Sequence, residues 1–274
     1  MIEKEEIVIS FVFLIFSFIW GASFGSFGNT LIYRIPRGIS ILAPSSFCPK
    51  CKSPILWYEK IPILSFIILK GKCSRCGARI PYIYFFSELL SAILGVFAFY
   101  ISTSYISNSS LFLFFPNFFF LWSFLFSAIS DIIYLAVPTV LILVSFISAV
   151  SARIIDMSDI KFLLLDSFLG VVLGAGTFFI VRLIYALLRK KEGLGEGDVL
   201  FMIPVGVYFG FWGTLFCIII SSFFGGLFGL ILSIIKRKRD PIPFIPFMFL
   251  GVLLNLLLKL KYHDIFERFF QFHF

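Results

Sequence analysis

Eight apolar stretches run along the chain, at 7–33, 86–104, 111–130, 137–152, 162–188, 199–212, 214–235 and 242–260, parted by short polar breaks. The hydrocarbon core of a bilayer takes about 20 residues of helix. Backbone polar groups in lipid must be satisfied within their own segment, which favours helices over irregular chain. The sixth stretch is short and carries Pro204, and only Phe-Gly-Phe-Trp-Gly (209–213) separates it from the seventh. That pair reads either as two spans or as one broken helix. A single long polar segment, 34–85, interrupts the pattern. The pattern predicts an all-α polytopic membrane protein of about eight transmembrane helices. Its parts are a first transmembrane helix over 1–33, a small domain over 34–85 and a transmembrane bundle over 86–274.

Composition agrees with this. The chain is 60% hydrophobic and 14% charged, with a mean hydropathy of +1.04, against 45–50% apolar in ordinary soluble domains. A soluble enzyme, a disordered chain and a secreted disulfide scaffold are excluded. The 40 Phe residues read as lipid-compatible bulk. A net charge of +8 invites a nucleic-acid reading, but its placement speaks for topology instead. Segment 34–85 holds nine basic residues against Glu59 alone, and Arg189-Lys190-Lys191 and Lys236-Arg237-Lys238-Arg239 follow. With eight spans these clusters share one side, which the positive-inside rule makes cytoplasmic. The acidic start before Ile7 is unlike the basic opening of a signal peptide and reads as part of an uncleaved first span.

Four of the five cysteines form a CxxC–x21–CxxC pair: Cys48, Cys51, Cys73 and Cys76. Two-residue spacing lets one turn present two thiolates to a tetrahedral ion, and the second pair closes a structural zinc site. Disulfides or idle thiols are the alternative, and a cytoplasmic location disfavours the former. Cys217, alone in an apolar stretch, reads as packing.

Other chemistry is narrowed by elimination. The two histidines, His263 and His273, fall after the last span, and no HExxH motif is present. Gly21-Ala22-Ser23-Phe24-Gly25 matches GxSxG, but without a preceding strand or a histidine base it reads as small residues for close helix packing. Asp131 ends the third span, and Asp198 follows Gly193-Leu194-Gly195-Glu196-Gly197 to open the sixth. The chain crosses twice between them, so both carboxylates return to one face at similar depth. Intramembrane carboxylates are costly unless hydrated, paired or protonated. Two that meet share a proton, so that one serves as base on water while the other polarises a carbonyl. A solvated Asp ending one helix and a capping Asp opening another is the plainer alternative.

Several separated stretches together resemble the prepilin peptidases (type IV leader peptidases), membrane aspartic proteases of the GxGD class. They are Gly25-Ser26-Phe27-Gly28-Asn29 with Tyr33-Arg34-Ile35-Pro36; the CxxC pair with Trp57-Tyr58-Glu59-Lys60-Ile61-Pro62; Glu88; Asp131 with Pro138; Gly195-Glu196-Gly197-Asp198; and Pro243-Phe244-Ile245-Pro246-Phe247. The resemblance implies cleavage of the basic leaders of type IV pilins and type II pseudopilins at the cytoplasmic face of the bacterial inner membrane. Asp131 and Asp198 would form the catalytic pair, within a catalytic bundle over 86–274. The four-cysteine domain accompanies bifunctional members that also N-methylate the new N-terminus with S-adenosylmethionine. Leu200 stands where the family commonly has Lys, Thr139 where it has an acid or amide, and Ile245 where it has glycine. Expected partners are prepilin or pseudopilin precursors and membrane lipid, with no nucleic acid. Glu59, Glu88, Glu192 and Glu196 are candidate receivers of the basic leader. An ion-coupled transporter using buried acids and a degenerate, non-catalytic scaffold are the alternatives.

Overall fold

The structure is a computed structural model, and it describes residues 2–43, 45–104, 111–155, 160–189, 195–236 and 241–261. Lys190, Lys191, Glu192, Arg237, Lys238, Arg239, His263 and His273 lie outside the described residues. Eight α-helices follow in chain order: α1 (Ile2–Arg34), α2 (Leu64–Ile68), α3 (Tyr82–Ser104), α4 (Phe114–Tyr134), α5 (Thr139–Ile155), α6 (Ile160–Arg189), α7 (Glu196–Lys236) and α8 (Ile245–Lys261). No strand occurs among the described residues. Among the described residues five helices are long and apolar enough to cross a membrane, α1, α3, α4, α6 and α7; α5 and α8 are shorter apolar helices. The chain divides into two compact units, Met1–Tyr100 and Ile101–Phe274.

In the first unit α1 and α3 pack at close range through small residues. A side chain at Gly25 would come within 2.7 Å of the Glu88 Cα, and one at Gly21 within 2.8 Å of the Ala92 Cα. The Ser91 hydroxyl uses this proximity to donate to the Gly21 carbonyl at 2.6 Å. In lipid there is no hydrophobic drive between helices, so van der Waals contact and such bonds carry the association. The GxSxG stretch is therefore packing surface, as its lack of a base implies. Nearer the end of α1, the Ser87 hydroxyl donates to Asn29 Oδ1 at 2.7 Å. Buried Arg34 donates to the carbonyls of Ser40 and Ile41 at 2.8 and 3.1 Å, which turns the chain into the polar segment.

The second unit is built around α4, whose Phe118, Phe120, Leu121, Phe124 and Phe126 are fully buried. Phe120 stacks on Tyr208 at 4.2 Å between ring centroids, and Phe124 meets Phe201 edge-on at 4.6 Å. The Tyr208 hydroxyl donates to Asn117 at 2.6 Å. Part of the phenylalanine excess is thus packed core and not lipid-facing bulk; composition cannot separate the two, because either environment is apolar.

The uncertain sixth and seventh stretches form α7, which reverses at Gly210. A side chain at Gly174 of α6 would touch both Met202 (3.2 Å) and Thr214 (2.9 Å). Twelve residues of straight helix would part those two by about 18 Å, so α7 is two antiparallel segments, 196–209 and 211–236. Both are flanked by α6, so the sixth and seventh apolar stretches are separate segments. Gly210 adopts φ +66°, ψ −163°, a conformation open essentially to glycine, and its α-carbon lies against the Asp166 carboxylate. Asp166 accepts the freed Phe211 N–H at 2.9 Å and pairs with Arg153 at 2.7 Å. Arg153 donates in turn to the Val207 carbonyl at 2.9 Å. One ion pair thus satisfies the backbone that the reversal exposes.

Gly210→Val is expected to destabilise the bundle by about 2 kcal/mol or more, read as a lower thermal midpoint in detergent. Gly176→Ala, where an added Cβ meets nothing within 4 Å, is expected to leave the midpoint unchanged or raise it.

Candidate active site and metal centre

Asp131 lies in the last turn of α4. The helix stops because Leu135 turns left-handed (φ +52°), its N–H returning to the Asp131 carbonyl at 2.8 Å. Pro138 then biases Val137 away from helix. The Ser130 hydroxyl donates to the Ala136 carbonyl at 2.7 Å and fixes the turn. The Asp131 side chain, 8% exposed, accepts the Ile245 N–H at 3.1 Å. That N–H is one of the unsatisfied donors at the start of α8, where the helix dipole also favours an anion.

Asp198 occupies the first turn of α7, equally buried at 8%. Its Oδ2 accepts the Gly195 N–H at 3.1 Å, half of a capping box reaching back to the residue before the helix. The capping alternative weighed for Asp198 is thus realised, with one of its two oxygens. Gly197 lies close to the α4–α5 turn just beyond Asp131: a Cβ there would come within 3.3 Å of the Val137 side chain. The two carboxylates are close enough for their charges to interact. Two helix ends far apart in sequence therefore bring together a pair of buried acids, each held by a backbone N–H.

Arg182 on α6 pairs with Glu196 at 2.7 Å, two residues before Asp198. Sequence reasoning passed over this pair, although an arginine within an apolar span is itself a signal; the same holds for Asp166, whose partner Arg153 stands just past the fourth apolar stretch. Leu200 is 42% exposed. Glu59, Glu88 and Glu196 all have partners within the chain: Glu59 accepts the Leu56 N–H at 2.9 Å, Glu88 the Ile63 N–H at 2.8 Å, and Glu196 the Arg182 guanidinium.

The first unit holds the cysteine centre, built from two matching turns. Cys48 N–H donates to the Ser53 carbonyl and Lys52 N–H back to Cys48; Cys73 N–H donates to Ala78 and Gly77 N–H back to Cys73. The residue after each second cysteine, Lys52 and Gly77, has φ near +60° to +67°. The four sulfurs lie within 4.8 Å of one another, with Cys48 and Cys76 3.9 Å apart. A tetrahedral zinc–thiolate site has sulfur–sulfur edges of about 3.8 Å, so the donor set fits. The Ser53 hydroxyl, donating to the thiolate, leads the groups that hold Cys51 down at about 6. The N–H groups of Cys76 and Arg75 lower Cys73. At Cys76 the Ala78 N–H lowers, but desolvation and the three neighbouring thiols outweigh it and push the group up to about 11. Four sulfurs this close cannot all ionise without a cation among them. The cluster could therefore hold one metal ion, and Cys217, buried in α7, takes no part.

Two family models match the chain. The Bacterial Peptidase A24 N-terminal domain covers residues 19–102, and the Type IV leader peptidase family covers residues 118–230. The chain is 33% identical over 239 residues to a Prepilin leader peptidase/N-methyltransferase of Bacillus subtilis, covering 86% of this chain and 91% of that protein. Proteins of the same name in Neisseria gonorrhoeae and Pseudomonas aeruginosa are 30% and 27% identical. Those matches cover 80% and 86% of this chain, and 82% and 87% of the relatives. No solved structure matches the chain.

One thiophilic metal ion per chain is expected by elemental analysis at pH 7.5, and none in Cys48→Ser. Protons compete with metal for the sulfurs. Because Cys51 is depressed, its thiolate persists above about pH 6 and is lost as pH falls through that value. A bound metal itself holds the thiolates deprotonated, so metal release on acidification is expected only below about pH 6.

Proposed function

Because this chain belongs to the type IV leader peptidase family, we propose that it removes the basic leader of prepilin or pseudopilin precursors by means of the Asp131–Asp198 pair. The observation that carries this reading is the meeting of two buried carboxylates at helix ends, each anchored through a backbone N–H. A pair of this kind holds one proton between its members. The ionised carboxyl takes a proton from water as the oxygen attacks the scissile carbonyl. The protonated carboxyl meanwhile donates to the carbonyl oxygen, giving a tetrahedral diol. Collapse breaks the C–N bond, and the proton gained from water passes to the leaving amine. The anchoring bonds keep both groups in register during these transfers, so that little reorganisation is spent in the transition state.

The protein is a multi-pass inner-membrane protein. The reading places catalysis in 86–274 and at the cytoplasmic face, which the basic residues of 34–85 and of the segments after α6 and α7 support through the positive-inside rule. Membrane lipid is its solvent, and the charge distribution calls for no nucleic-acid partner. Zinc is the ion assigned to Cys48, Cys51, Cys73 and Cys76. All four positions are thiolates with no open site, so it would organise the 34–85 domain and leave catalysis to the aspartates. The relatives' names extend the proposal to N-methylation of the new N-terminus, with S-adenosylmethionine as donor. A strand–glycine loop–helix of the soluble nucleotide-binding kind does not occur among the described residues, so a donor would bind by other means.

Co-expression with a cognate prepilin tests this. Intact mass and N-terminal sequence are expected to show leader loss with the wild type. Asp131→Asn and Asp198→Asn should each reduce cleavage roughly a thousandfold or more. A further mass gain of one methyl group on the mature N-terminus would establish the second activity. An uncut leader with correctly inserted wild-type protein would instead favour the non-catalytic scaffold.

A further inference from the structure

The outward face of α2 is unexplained by either the metal centre or the proteolytic pair. Leu64, Ile67 and Ile68 stand at i, i+3 and i+4 and so share one helix face. They are 56%, 57% and 75% exposed, in a segment that carries nine basic residues and a single acid. On the other side of the helix, Phe66 packs on Tyr82 and Phe85, with ring centroids 5.7 and 5.2 Å apart. The apolar surface is thus displayed while Phe66 alone turns inward onto α3.

One further bond fixes the position of α2 along α3, and a second closes the turn that leads into it. Ile63 N–H donates to the Glu88 carboxylate at 2.8 Å. Leu64 N–H donates to the Pro62 carbonyl at 2.6 Å, closing a γ-turn in which Ile63 has φ +64° and ψ −54°. This geometry is strained for a β-branched residue, and the Glu88 bond holds it in place. Tyr82, Phe85 and Glu88 occupy the first two turns of α3, whose membrane-crossing run is Tyr82–Thr103. Those turns cover about 9 Å of rise, matching the depth of roughly 5–10 Å at which interfacial helices bury their apolar side. The displayed face therefore lies beside the start of the membrane-crossing run of α3.

We propose that α2 and the turn before it form a membrane-docking surface, seating Leu64, Ile67 and Ile68 in the headgroup–acyl boundary of an anionic leaflet. Trp57 and Tyr58, 78% and 51% exposed in the adjoining turn, are the residue types that favour this boundary. Lys60 and Lys70 bracket α2 in sequence, and the excess of basic residues complements anionic headgroups. The cysteine module is held down on the membrane by this surface and does not hang from α1 and α3 alone.

Photocrosslinking in the full-length protein tests the proposal. Leu64, Ile67 and Ile68 are replaced one at a time by p-benzoylphenylalanine, in nanodiscs of phosphatidylcholine with or without phosphatidylglycerol. Irradiation is expected to give adducts of phospholipid mass at all three positions, several-fold more abundant with phosphatidylglycerol, whereas the same probe at Phe66 should join residues 82–86 of its own chain. Peptide adducts at the three outer positions, or none, as a water-facing side chain gives, would overturn it. Hydrogen exchange of the unsubstituted protein guards against misfolding of the variants. Amides of residues 64–69 should exchange several-fold more slowly in the anionic nanodiscs, and equal rates would overturn the proposal independently.

Discussion

A charged group inside a bilayer must arrive with its hydrogen bonds already arranged, because no solvent is there to supply them. The second unit is organised around this constraint. Asp131 takes its bond from the start of α8, Asp198 from the residue before α7, and Asp166 from the residue after the α7 reversal. Arg153 and Arg182 reach carboxylates across helices. Each of these groups sits near a helix terminus or a break, where the backbone has orphan donors or acceptors to offer. The demand of the charges and the demand of the helix ends are met by the same bonds.

This has consequences for the proposed chemistry. A carboxylate anchored through backbone N–H groups is fixed in direction before a substrate arrives. The bundle provides two such groups within range of each other's charge. It also keeps their supports on different helices, so their separation depends on how α4, α7 and α8 pack. The buried phenylalanines of α4 and the aromatic contacts to Phe201 and Tyr208 supply the rigidity on which that separation rests. The α7 hairpin returns the chain beside α6 without exposing the backbone at its bend.

The first unit solves a different problem, ordering a polar segment that is too small for a core of its own. Paired CxxC turns gather four sulfurs, and the electrostatic cost of four thiolates in one place is the affinity for a cation. Glu59 assists, held low first by the Ser74 hydroxyl and then by the Leu56 N–H, so that it ties the turn at 57–60 to the second cysteine loop. The link to Glu88 through Ile63 then registers this segment against α3.

Much of this was determined by the sequence alone, because the relevant signals are local or additive. Span positions follow from apolar run length, the gathering of four cysteines from CxxC spacing, and the packing role of Gly21 and Gly25 from the absence of any base for a nucleophilic serine. Asp131 and Asp198 could be singled out as acids ending and opening spans, two crossings apart. Only the tertiary structure decided that α7 is a hairpin, since Pro204 and the 209–213 stretch fit a bend or a break equally well until α6 shows both arms at one glycine. Tertiary structure also divided the phenylalanines between core and lipid, which look alike to a hydropathy scale. The Arg153–Asp166 and Arg182–Glu196 pairs and the Ile245 N–H that holds Asp131 were hidden for the same reason. Each joins residues 13 to 114 positions apart, and a contact of that kind depends on how helices are packed and not on anything written near either partner.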